Sequence, residues 1–133
     1  MTTAQKILIT YGVLSLGYGF VLGIPLSQAR MTAAVAPRHL VVVHLSAIMQ
    51  GAVHLGLSVA MTLSALTTSL ETTAAVLLVV GSGLFVAGGT LNWRQSVGDH
   101  FAERSLGWRL FAMSSVGHLT GIALVVVGVL MGL

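Results

Sequence analysis

Arg38-His-Leu-Val-Val-Val-His44-Leu-Ser-Ala-Ile-Met-Gln50-Gly51 opens a long apolar segment that carries an imidazole and an amide into a hydrophobic layer. Polar side chains inside a membrane span are costly and mark functional positions. With Pro37 in the first turn, where proline is favoured, a rise of about 1.5 Å per residue places His44 roughly 10 Å deep and Gln50 roughly 20 Å deep. The six-residue separation turns the two side chains about 120° apart. One helix therefore cannot aim both at the same point, whereas neighbouring subunits can.

Around this stretch the chain is hydrophobic throughout. Of 133 residues, 56% are hydrophobic and 7% charged, and the mean hydropathy is +0.98, against about 25% charged residues in soluble domains. The expected fold is an all-α integral membrane four-helix bundle forming a single domain over residues 1–133, with helices at about 7–26, 39–66, 74–93 and 109–133. The first run is longer than the apolar core of a secretory signal, so it is read as a span. Glycines at GxxxG spacing, such as Gly19 to Gly23 and Gly117 to Gly121, suit close helix approach.

The net charge of +3 does not indicate a nucleic-acid partner, because the basic residues all lie near expected helix ends. Arg30, Arg38, Arg94, Arg104 and Arg109 fall on one side and Lys6 on the other. The positive-inside rule puts the arginine side in the cytoplasm and both termini outside, as in a multi-pass bacterial-type inner-membrane protein. Tyr18, His44, Asn92 and His118 are then expected to open toward the cytoplasm.

The chain has no cysteine, which removes disulfides and thiolate chemistry and leaves histidine as the strongest metal ligand. Glu71, Asp99 and Glu103 are assigned to loops, so no Ser-His-Asp set is expected within the bundle. Nor does the first helix carry the acidic residue of a small proton-coupled transporter. His54 is read as structural, snorkelling or bonding a carbonyl, and His39 as interfacial. Thr72 or Thr73 is a candidate cap for helix three. The 94–108 loop, with His100, is read as a solvated loop or interfacial helix. A neutral imidazole in an apolar bundle can hold a haem by one axial bond with the other face open; it can equally be a helix-to-helix hydrogen bond.

His44-Leu45 with Gln50-Gly51, followed one helix later by Asn92-Trp93, resembles the hydroxylaminobenzene mutase and styrene oxide isomerase family of small membrane proteins. The resemblance covers helices two and three, and reaches helices one and four only in length and glycine content. It implies ferric haem b between subunits of a homotrimer, with His44 ligating the iron. Gln50 would approach the open face from a neighbouring chain and Asn92 would line the pocket. Tyr18 is a further candidate catalytic residue on its own depth, roughly 12 Å below the loop after helix one, which matches that of His44. Gln50 stands where the family has the shorter asparagine, and the isomerases' acidic and tyrosine positions fall on Gly88 and Ser96. The implied reaction is a Lewis-acid rearrangement of a small apolar aromatic substrate without net oxidation. It would take an arylhydroxylamine to an aminophenol or, alternatively, an aryl epoxide to an aldehyde. A competing reading is a non-catalytic bis-histidine haem protein, with His44 and His118 as the two ligands. A third is a glycine-rich scaffold with no cofactor.

Overall fold

The computed structural model describes residues 1–98 and 104–133. Four helices follow in order: α1 (Thr3–Thr32), α2 (Arg38–Ala60), α3 (Thr68–Arg94) and α4 (Leu106–Gly132), with a 3-10 turn at Met61–Leu63 extending α2. All four are long and apolar enough to cross a membrane. No strand occurs among the described residues.

The helices outrun the apolar runs that announce them. α1 begins at a capping box, in which Thr2 accepts from the Gln5 backbone while the Gln5 side chain returns to the Thr2 N–H. It continues through Pro25 to Thr32, so its 30 residues span about 45 Å against a hydrocarbon layer of about 30 Å. Pro37 is the residue before α2, outside the first turn. Helix two ends earlier than expected, because the chain tightens into the 3-10 turn and leaves it extended at Ser64.

Helix three starts six residues early, at Thr68, with Thr67 at the cap position. Thr72 and Thr73 do not cap it; their hydroxyls donate back to the carbonyls of Thr68 and Ser69. Glu71 therefore belongs to the first turn of α3 and is buried, a correction to its placement in a loop. The helix N-terminus favours an acidic residue there.

Consecutive helices pack as two hairpins. α1 lies on α2 through facing glycines: a Cβ on Gly12 would sit 3.0 Å from the Gly51 carbonyl oxygen, and one on Gly51 would sit 2.8 Å from that of Gly12. α3 lies on α4 in the same way, where a Cβ on Gly117 would meet the Leu77 carbonyl at 2.8 Å and one on Gly121 would meet that of Ala74 at 3.1 Å. Lipid offers no hydrophobic gain for helix association, so such backbone approach and interhelical hydrogen bonds carry the packing. Three bonds pin α1 to α2 along its length, from Gln5 Nε2 to the Ser58 carbonyl, from Ser15 Oγ to that of Ala47 and from His44 to that of Gly19. The hairpins meet through α3, where the Tyr18 and Thr90 hydroxyls join at 2.8 Å.

Antiparallel alternation gathers Arg30, Arg38, Arg94 and Arg109 at one end, beside the ends of α1 and α3 and the starts of α2 and α4. Lys6 stands at the other. Asp99, His100 and Glu103, from the expected loop, lie outside the described residues.

Candidate functional site

His44 occupies the seam between α1 and α2. Its Nδ1–H donates to the Gly19 carbonyl at 2.8 Å, because a carbonyl oxygen only accepts. In the neutral ring the Nε2 lone pair is then free to bind. No residue among those described hydrogen-bonds Nε2. Gly23 flanks the ring, and a Cβ there would touch Cε1 at 3.4 Å, so glycine keeps that edge of the imidazole uncovered. A histidine with one ring nitrogen held by a carbonyl and the other bare is the usual arrangement of a metal-ligating imidazole.

Gln50 opens elsewhere. It lines a groove between α2, α3 and α4 of about 340 Å³, together with His54, Ser82 and His118 and with apolar walls that include Val53 and Leu119. Its Oε1 is buried without a hydrogen-bond partner. His44 and Gln50 thus project to different sides of α2, as their sequence offset requires.

The base of that groove is a chain of polar contacts. His54, only 2% exposed, donates from Nδ1 to the Gln50 carbonyl at 2.6 Å. Its Nε2 is 3.4 Å from Ser82 Oγ, and Ser82 Oγ is 2.8 Å from His118 Nε2. The Tyr11 ring packs on His54 with centroids 4.9 Å apart. His54 does bond a carbonyl, but at the centre of the bundle. Ser82, a lone hydroxyl between Gly81 and Gly83, and Tyr11 carried no signal of this contact beyond being polar groups inside apolar helices.

Comparison with known protein families, curated proteins and solved structures finds no match for this chain. The site is therefore read from its own geometry.

Tyr18 and Asn92 stand apart from His44. Thr90 Oγ1 donates to the Val86 carbonyl, so the Tyr18 hydroxyl is the donor in their pair. Tyr18 lines a groove of about 560 Å³ between α1 and α3. It shares a level with His44, since its neighbour Gly19 receives the His44 bond, but faces the other way along α1. Asn92 is fully buried and joins α3 to α4: its Oδ1 accepts from Ser105 Oγ at 2.8 Å, its carbonyl accepts from the Val97 N–H, and its side chain fills the space beside Gly107. It borders a cavity at the arginine-rich end with His39 and Trp93.

Within one chain the expected residues therefore occupy four places, and only Gln50 and His118 share one. No group of three or more metal-ligating side chains occurs among the described residues. Among the described residues, metal ligation would begin from a single imidazole or a histidine pair.

Proposed function

We propose that the protein is a membrane-bound, haem-dependent isomerase of small aromatic substrates, most simply an arylhydroxylamine mutase yielding an aminophenol. The observation that carries the reading is the bond from His44 Nδ1–H to the Gly19 carbonyl, which leaves Nε2 free as the nitrogen that would hold the haem iron. The donor set fits haem b with ferric iron, for which one fixed imidazole suffices. When bound, the haem would supply Lewis-acid activation of the substrate's oxygen.

The chain's own residues would do the rest. His44 holds the group, and Gly23 leaves its flank flat. Gln50, on the other side of α2, would reach that site from a neighbouring subunit of a homo-oligomer, a trimer by resemblance, and hydrogen-bond the substrate hydroxyl through its amide. The apolar groove walls exclude water, which favours internal return of the hydroxyl over hydrolysis. Substrates of this class partition into the bilayer, and the arginine-rich end would face the cytoplasm.

An aryl epoxide isomerase would use the same groups. A bis-histidine electron carrier built from His44 and His118 of one chain is disfavoured, because His118 Nε2 is held by Ser82 on α3 while His44 faces α1. The test is the absorption spectrum of the purified protein beside His44→Ala. A Soret band lost in the variant supports axial ligation, and phenylhydroxylamine turnover by the coloured protein establishes the reaction. A colourless wild type after expression with haem precursor overturns the reading.

A further inference from the structure

The groove between α2, α3 and α4 has features of a ligand site that belong to a single chain and need no haem. Its volume of about 340 Å³ lies at the small end of the roughly 300–1,000 Å³ of small-molecule pockets, which are apolar with a few convergent polar groups. Its rim is open on the single chain, with Met49 66%, Val53 54% and Leu119 70% accessible.

The polar floor is short of hydrogen-bond donors. His54 gives its Nδ1–H to the Gln50 carbonyl, so neutral His54 presents a bare Nε2 toward Ser82. His118 Nε2 faces the same hydroxyl. The Tyr11 hydroxyl reaches Ser82 and Ser15 but neither ring, so Ser82 has one proton for two ring nitrogens. Either His118 carries a proton on Nε2 and gives it to Ser82, which donates onward to His54, or Ser82 donates to His118 and His54 Nε2 is left bare. Gln50 adds a buried, unpartnered Oε1. Buried acceptors without donors are costly in an apolar medium.

We infer that this groove binds a small aryl alcohol, of the phenol, naphthol or hydroquinone class, whose hydroxyl donates to the Gln50 amide oxygen above the His54–Ser82–His118 floor. A ketone or quinone lacks the donor that Gln50 requires. The ring lies among Val53, Leu57, Leu119 and Ile122, and entry is across the exposed rim at Leu119.

The test is thermal unfolding in detergent with 2-naphthol against 2-methoxynaphthalene, a probe of similar shape without the donor. Saturable binding to the folded state raises the midpoint, so 2-naphthol is expected to stabilise the wild type by a few degrees more than the ether does. That difference should vanish in Leu119→Trp, a change on an exposed rim position that fills the groove, and in His118→Phe. It should persist in His44→Ala, which separates this site from the haem reading. Equal effects of the two probes on the wild type overturn the inference. So does a difference that survives Leu119→Trp or His118→Phe, or one that disappears in His44→Ala.

Discussion

The Gly19 carbonyl receives the Nδ1–H of His44 at 2.8 Å, and this one contact fixes both the tautomer and the direction of the ring. It also ties α2 to α1 at the level of Tyr18. Removing the imidazole costs an interhelical bond worth about 0.6–2 kcal/mol in membrane helices, too little to unfold the bundle. His44→Ala is expected to insert and fold, with a modest loss of thermal stability, and to lose all haem absorption. His54→Ala should retain the Soret band; a colourless His54→Ala protein that is still folded would move the ligand to His54.

The glycines sort into two groups. Gly51→Ala places a methyl 2.7 Å from Leu16 Cγ and 2.8 Å from the Gly12 carbonyl, and overpacking of this kind costs about 1–3 kcal/mol. Gly17→Ala and Gly56→Ala meet nothing within 4 Å and gain up to about 1 kcal/mol of helix propensity. Unfolding midpoints should fall for the first and hold or rise for the others; equal responses would mean that the α1–α2 contact is not as close as described.

Asn92 is expected to behave as a joint between α3 and α4. Asn92→Leu leaves Ser105 Oγ without its acceptor and should lower stability by about 1–3 kcal/mol. Turnover per folded molecule should be unchanged. A loss of activity at full stability, measured beside the unfolding curve, would instead place Asn92 in the substrate pocket.

Tyr18 and Thr90 are predicted to be energetically coupled. Tyr18→Phe and Thr90→Val should each cost about 0.5–1.5 kcal/mol, and the double variant less than their sum, since both remove the same bond. Strict additivity in the double-mutant cycle would show that the 2.8 Å contact contributes nothing between the hairpins.

The number of spans, the gathering of arginines at one end and the separation of His44 from Gln50 around α2 were legible in the sequence, because each follows from local rules: a layer thickness, a charge count and 100° per residue. Helix ends were less so. Glu71 reads as a loop residue until the helix is seen to extend past its apolar run, since backbone hydrogen bonding continues beyond the hydrocarbon edge. Which polar residues meet was decided only by the tertiary structure. Ser82 joins His54 to His118 and Asn92 meets Ser105 rather than His44 because glycine contacts set how each hairpin is rotated about its axis, and a pattern of depths along four separate helices carries no information about that rotation.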